Sequence, residues 1–237
     1  MKKLILAATT VLTLSLSAAT QYDFVGPGFG IDGGISIISP ATGGGEFHQG
    51  NFFVGELKIK NVDSSEIFLT FCLSPEGLSR GVYETITFEA AKYGRLPENE
   101  WAVSGIENAS YLWYRNYQTV SSHEEGAALQ LTIWDVLFDS SGVGSVSGDL
   151  SDGRFRATVP SLDIIEIYES YIHQLEVAGP TFVQGFYEAH PGFILRADPQ
   201  SDSQDLIISQ PVPEPSTYLG ALALCGISLL GLRNKRK

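Results

Sequence analysis

Cys72 and Gln130 are two residues that could react with each other. A cysteine thiol can attack a side-chain carboxamide, expel ammonia and leave an internal thioester, which is a stored acyl electrophile. Holding both groups at near-attack distance can replace roughly 7–11 kcal/mol of the barrier. The chain has only two cysteines, and Cys225 lies in an apolar C-terminal run, so Cys72 has no partner for an internal disulfide in the rest of the chain.

A thioester needs protection from water until a nucleophile arrives. Phe71 precedes Cys72, and Trp134 stands one helical turn after Gln130, so both aromatic side chains could supply apolar cover. A buried inert cysteine and a glutamine that caps a loop carbonyl would explain the same residues without any reaction. The residue types alone leave both interpretations open.

Other kinds of chemistry have weaker support in the sequence. The four histidines have no metal-ligand spacing, and the aspartates at 149–152 and 198–205 do not follow a calcium-loop pattern. The chain contains no phosphate-binding loop, no nucleophile elbow and no convincing catalytic triad. We therefore expect no metal, no cofactor and no enzyme with turnover.

Strand patterns surround the cysteine. Residues 55–60 alternate, and a turn at 61–65 joins them to the β-branched and aromatic run 66–73, which predicts an antiparallel pair with Cys72 at the exit of its second strand. Further strands are predicted at 82–88, 193–197 and 205–209, the last two joined by an acidic turn at 198–202. The glycine-rich stretch 25–50 predicts a loop-rich entry into the fold.

The middle of the chain predicts three helices, at 107–117, 124–138 and 162–177. Two overlapping capping boxes, Ser121 with Glu124 and Ser122 with Glu125, precede the second helix, which carries Gln130 on an otherwise apolar face. The third helix is predicted to end at Gly179-Pro180. The order of strands, helices and strands predicts an α+β fold: a β-rich single domain, sandwich or barrel-like, with an inserted helical portion.

Both ends of the chain predict processing. Residues 1–19 have Lys2 and Lys3, an apolar stretch and a small-residue end, which is typical of a secretory signal peptide. Residues 211–237 contain Pro213-Glu214-Pro215, an apolar helix and a basic end. The apolar run is a little short for a hydrocarbon core of roughly 30 Å, and the basic end favours the cytoplasmic side. A permanent anchor and a temporary one, cut near the triplet, both fit this pattern.

The order of Pro213, Glu214 and Pro215, apolar helix and basic end closely resembles the PEP-CTERM sorting signal of Gram-negative bacteria that carry an exosortase. The resemblance implies transient inner-membrane anchoring by the C-terminal helix, cleavage by an exosortase-type enzyme, and export to the cell surface or extracellular matrix. Residues 20–210 then remain as the working part, which is long enough for one domain with its own core.

The charge balance restricts the partners of this domain. Two of the 15 basic residues lie in the predicted leader and four in the C-terminal tail, which leaves nine against the chain's 27 acidic residues. A strongly acidic domain is unsuited to nucleic acid or to an anionic membrane surface. We expect neither as a partner.

Two motifs resemble a second family. Phe71-Cys72-Leu73-Ser74-Pro75-Glu76 and Leu129-Gln130-Leu131-Thr132-Ile133-Trp134 are similar to the two signatures of bacterial surface thioester domains. The resemblance implies that Cys72 is the acyl acceptor, that Gln130 is the acyl donor and that Trp134 is structural cover. It also implies covalent attachment to an amine on a target, in the manner of an adhesin. Thr132 departs from the alanine common in relatives with a PEP-CTERM tail.

The sequence therefore predicts an exported cell-surface or matrix protein with a single-use Cys72–Gln130 thioester that reacts with an amine-bearing target. The alternative is a non-reactive, β-rich extracellular matrix or carbohydrate-binding protein with Cys72 as a free buried thiol. Aromatic side chains at Tyr111, Trp113 and Tyr114 would favour the alternative if they lined an open groove.

Overall fold

The computed structural model describes residues 20–38, 46–73, 81–87, 102, 104–146, 149–159, 161–190, 192–197 and 205–208. The described residues form nine strands and three helices. The strands are β1 (Thr20–Ile38), β2 (Glu46–Asn61), β3 (Ile67–Cys72), β4 (Gly81–Thr87), β5 (Ser140–Gly142), β6 (Ser145–Val146), β7 (Phe155–Thr158), β8 (Phe193–Ala197) and β9 (Leu206–Ile208). The helices are α1 (Gly105–Asn116), α2 (His123–Asp139) and α3 (Leu162–Ala189). The predicted leader, the acidic turn at 198–202 and the sorting segment 211–237 lie outside the described residues.

Six antiparallel strands close into a barrel. Their order is β1-β2-β3-β9-β8-β4, and β4 pairs back with the first residues of β1. The predicted pair of strands around the 61–65 turn is β2 and β3, in the register Leu57↔Thr70 to Lys60↔Ile67. The strand β7 pairs with the far end of β1. The predicted α+β fold is confirmed, in its barrel-like form.

Aromatic rings fill part of the barrel interior. Tyr22 of β1 contacts Phe68 of β3 and Tyr83 of β4, with ring centroids 6.2 and 5.8 Å apart. Neighbouring residues of a strand face opposite sides of a sheet. Ile67 and Leu69 are exposed, so Phe68, Thr70 and Cys72 lie on the inner face of β3.

The prediction of a loop-rich entry at 25–50 is wrong for the residues that the structure describes. Residues 20–38 form β1, and residues 46–50 begin β2. β1 pairs with β2 along most of its length and also with β4 at one end and β7 at the other. Glycines have low β-propensity, but these two-sided ladders supply partners that the sequence pattern does not reveal.

The helix α2 is the central helix of the domain. It packs against β1 and β2 and against α1 and α3, and every residue from Gly126 to Phe138 is buried. The predicted capping box of Ser122 and Glu125 is present at its start. The overlapping box of Ser121 with Glu124 is not formed, because the Ser121 main chain and hydroxyl both donate to Glu125.

The predicted end of a helix at Gly179-Pro180 is present as a break in α3, but a second helical segment that was not predicted follows it. The helix axis breaks at Gly179, with φ 70° and ψ 166°, and helical turns then continue to Ala189. Proline suits the first position of the second segment because it needs no N–H donor there. Among the described residues, no helix has the length and apolar character needed to cross a membrane.

Candidate functional site

The main chain of Cys72 lacks a β2 partner in the observed register. Cys72 pairs with Leu206 of β9, and the Leu73 N–H donates to the Asp205 carbonyl at 2.9 Å. Successive residues of a strand direct their N–H and C=O groups to opposite sides. The polar groups of Cys72 therefore point toward β2, but the β2–β3 register ends at Leu57↔Thr70.

Gln130 of α2 occupies the position of the missing β2 partner of Cys72. Its Oε1 accepts a hydrogen bond from the Cys72 N–H at 2.8 Å, and its Nε2 donates to the Cys72 carbonyl at 2.8 Å. The carboxamide thus pairs with Cys72 as the peptide group of a neighbouring strand would. Gln130 is fully buried, and both ends of its amide are satisfied. The fold brings together the two residues whose reaction the sequence suggests.

The thiol itself lies in a dry environment. Cys72 is 3% exposed, and its sulfur is not part of a disulfide. Burial raises the pKa of the Cys72 thiol far above its ordinary value, so the protonated form prevails at neutral pH. A neutral thiol is a weak nucleophile, and any attack on the carboxamide depends on proximity more than on a standing thiolate.

The two aromatic residues predicted as cover are both buried but differ in placement. Trp134 is on α2, one turn after Gln130, and its ring lies 5.9 Å from that of Phe155. Phe71 is fully buried, but the alternation of β3 puts its side chain on the face opposite to Cys72. Trp134 therefore shares the Gln130 face of its helix, whereas Phe71 does not share the face of the thiol.

The close packing of α2 on β1 was missed from the sequence. His123 and Gly126 precede Gln130 on the same face of α2, and they contact Gly30 and Phe29 of β1. The signal that could have identified them is their spacing, since residues three, four and seven apart lie along one side of a helix.

Thr132, the position that departs from the resembled thioester-domain signature, is also buried. Its hydroxyl donates to the Ala128 carbonyl at 2.7 Å, one turn earlier in the helix. This bond satisfies a polar group that the core would otherwise leave without a partner. The departure from alanine is therefore compatible with the packing of α2.

The aromatic residues considered for the alternative function do not line an open groove together. Tyr111 and Trp113 are buried, whereas Tyr114 is 38% exposed. Trp113 stacks on Tyr117 with centroids 4.5 Å apart. Within the described ranges, no group of three or more His, Cys, Asp or Glu residues could hold a metal ion.

Residues 211–237 match the family model of the PEP-CTERM protein-sorting motif. The C-terminal segment is a PEP-CTERM protein-sorting motif. The motif implies an exported protein that an exosortase processes and that associates with the surface through its C-terminal anchor. Because the match covers the C-terminal segment alone, it does not describe the domain that carries Cys72 and Gln130.

No curated protein matches the chain. Among solved structures, the fold is similar to the N-terminal thioester domain of fibronectin-binding protein SfbI from Streptococcus pyogenes. The identity is 13% and the TM-score is 0.44, and the match covers 68% of this chain and 87% of that one.

Proposed function

We propose that this protein is an exported surface protein that forms an internal Cys72–Gln130 thioester and uses it once, to attach covalently to an amine. The observation that carries the proposal is the contact between the two residues. Both polar atoms of the Gln130 carboxamide lie 2.8 Å from main-chain atoms of the residue that bears the thiol. The carbon that the sulfur must attack belongs to that same carboxamide.

Formation of the thioester needs no cofactor. The Cys72 Sγ forms a bond to Cδ of Gln130, the Cδ–Nε2 bond breaks, and the thiol proton leaves with the amide nitrogen as ammonia. The Cys72 N–H already lies 2.8 Å from Oε1, where negative charge develops during the attack, so it can act as an oxyanion donor. The Cys72 carbonyl meanwhile orients the leaving nitrogen.

Attachment transfers the Gln130 acyl group from the Cys72 sulfur to the nitrogen of an amine. An amine nitrogen attacks Cδ of Gln130, the C–S bond breaks, and a proton from the amine passes to the sulfur. The product is an amide between the target and Gln130, with the Cys72 thiol restored. Each molecule reacts once because the original carboxamide is consumed, and burial of both residues limits competing hydrolysis by water.

Export supports this use of the site. The sorting motif implies that the protein leaves the cytoplasm, where amine-bearing polymers, proteins and neighbouring cells become accessible to it. Processing by an exosortase would release the domain from its transient anchor in the inner membrane. The amine target and the final location at the cell surface or in the matrix belong to this proposal.

Intact mass tests the proposal. We expect the purified protein to lack one ammonia relative to its processed sequence, and to gain one methylamine when incubated with that amine. Cys72→Ala should abolish both changes because it removes the nucleophile. Gln130→Glu is a size-matched control that has no carboxamide nitrogen to lose.

A wild-type protein of full mass, inert to methylamine, would contradict the proposal. It would leave Cys72 as a free core thiol and Gln130 as a structural partner of β3, which is the non-reactive alternative. The burial of Tyr111 and Trp113 gives no separate support to carbohydrate binding.

A further inference from the structure

The helix α2 contacts the barrel at three positions on one side. His123, Gly126 and Gln130 follow a spacing of three and four residues, which keeps them on one face. The face spans about 10 Å at 1.5 Å per residue. The last of the three reaches Cys72, so the other two determine how close the helix lies at that end.

Gly126 allows α2 to lie close to the main chain of β1. A Cβ atom at this position would lie 2.1 Å from the Phe29 carbonyl oxygen, whereas real Cβ contacts are essentially never shorter than 3.0 Å. The same oxygen would lie 2.3 Å from a Cβ at Gly55 of β2. The Phe29 carbonyl is therefore held between two glycines, one on the neighbouring strand and one on α2.

His123 forms the second contact. Its Nδ1 lies 2.8 Å from the Gly30 carbonyl oxygen and 3.2 Å from the Gly30 nitrogen, so it can donate to the first or accept from the second, depending on its tautomer. Its ring also meets the Phe29 ring edge-on, with centroids 5.6 Å apart. His123 thus pairs with the main chain of β1, as Gln130 pairs with that of β3.

We infer that Gly126 and His123 are positioning residues for thioester formation, which hold α2 at the depth from which Gln130 reaches Cys72. The inference rests on the proposed function. A side chain at residue 126 would force the helix and β1 apart by about 1 Å. Gln130 hydrogen bonds that measure 2.8 Å would then exceed the ordinary limit of about 3.2 Å.

Gly126→Ala tests the steric part. The full-length chain is made by cell-free synthesis, and intact mass follows the loss of ammonia with time. Because a misplacement of about 1 Å can cost a reaction roughly 100-fold, we expect the variant to form the thioester on the order of 100-fold more slowly than wild type. Gly185→Ala is the matched control, since a Cβ at that helical glycine meets nothing within 4 Å.

His123→Ala and His123→Asn test the second contact and do not depend on whether the Gly126 variant folds. His123 is an exposed residue, so neither change should prevent folding. Loss of one hydrogen bond predicts about fivefold slower formation in His123→Ala. Asparagine places an amide near the Nδ1 position and should restore the rate to within about twofold of wild type. A purely structural role would lower the melting temperature without this pattern of loss and rescue.

The outcomes separate the two hypotheses. If wild type never loses ammonia, the proposed function is wrong and the positioning role is wrong with it. If wild type loses ammonia and the folded Gly126→Ala protein does so at the same rate, only the positioning role is wrong for Gly126. If His123→Ala forms the thioester at the wild-type rate, the positioning role is likewise wrong for His123.

Discussion

Two buried polar contacts on different faces of α2 are built in opposite ways. Gln130 pairs with Cys72 through two hydrogen bonds of 2.8 Å, so both ends of its carboxamide are satisfied. Asp135, about 140° further round the helix, accepts one bond of 2.7 Å from the Tyr168 hydroxyl of α3. Its second oxygen, Oδ1, has no hydrogen-bond partner in the described part of the chain.

The difference separates a contact that fixes geometry from one that responds to pH. A neutral amide with both ends paired can be buried at little cost. A carboxyl group in the same core is penalised when it ionises, and burial raises the pKa of Asp135 to about 7, although the Tyr168 hydrogen bond opposes the shift. The stabilisation from the Gln130–Cys72 hydrogen bonds should therefore be the same at acidic and neutral pH, whereas the stabilisation from Asp135 should change with pH.

The largest effect is expected from removing the Gln130 side chain. In a Cys72→Ala background, which excludes thioester formation, Gln130→Ala leaves the N–H and carbonyl of residue 72 buried and unpaired. Such groups cost about 1–3 kcal/mol each, so we expect a loss of about 3–5 kcal/mol in the free energy of unfolding. Urea denaturation measures the loss.

A half-buried glutamine of α3 provides the control. Gln184 donates a hydrogen bond to Glu188 of the same helix, and Gln184→Ala should change the unfolding free energy by less than about 0.5 kcal/mol. If the two alanine variants were equally stable, the pairing of Gln130 with β3 would have no energetic importance, and the contrast with Asp135 would disappear.

The second effect is a pH dependence that belongs to Asp135. Between its ordinary pKa of 3.8 and the folded value of about 7, the folded state keeps a proton that the unfolded state has lost. The contribution of Asp135 to the free energy of unfolding is thus complete below about pH 4 and is lost as the pH rises to about 7. At about 1.4 kcal/mol for each unit of pKa shift, the loss should be about 2–4 kcal/mol.

Asp135→Asn isolates this contribution, because other acidic groups also titrate in the same range. Urea denaturation of wild type and variant at intervals from pH 4 to pH 8 gives the difference in slope. We expect a flatter profile in the variant. Identical slopes would mean that Asp135 remains ionised in the fold, and that the two faces of α2 do not differ as described.

The smallest effect concerns the start of α2. The Ser122 hydroxyl accepts from the Glu125 N–H at 3.1 Å, and Ser122→Ala should lower the unfolding free energy by about 1 kcal/mol. Ser141→Ala, at an exposed serine that contacts Ser145, is expected to fall within about 0.5 kcal/mol of wild type. A thermal melt of the two variants would distinguish a helix fixed by its cap from one fixed only by Gln130 and its neighbours.

Local patterns were sufficient to predict several elements of the fold. The turn at 61–65, the strand that ends at Cys72 and the Ser122 capping box follow from the types and order of neighbouring residues. Each depends on interactions within a few residues, which the sequence displays directly.

Contacts between distant segments could not be predicted in the same way. The β1 strand is stabilised by pairing with β2, β4 and β7, and no local sequence pattern predicts those partners. Burial of Gln130 followed from its helical face, but its pairing with the Cys72 main chain depends on where the β2–β3 register ends. The helical segment beyond Gly179 was missed because proline can begin a helix as well as stop one.

The position of β9 in the barrel determines when the barrel can close during synthesis. Cys72 pairs with a strand that comes far later in the chain, Leu206–Ile208, and β9 also joins β3 to β8. During synthesis or passage through a translocon, nearly the whole domain therefore has to emerge before β9, the second neighbour of β3, is present. Formation of the proposed Cys72–Gln130 thioester, if it requires the finished barrel, would therefore follow the synthesis of β9.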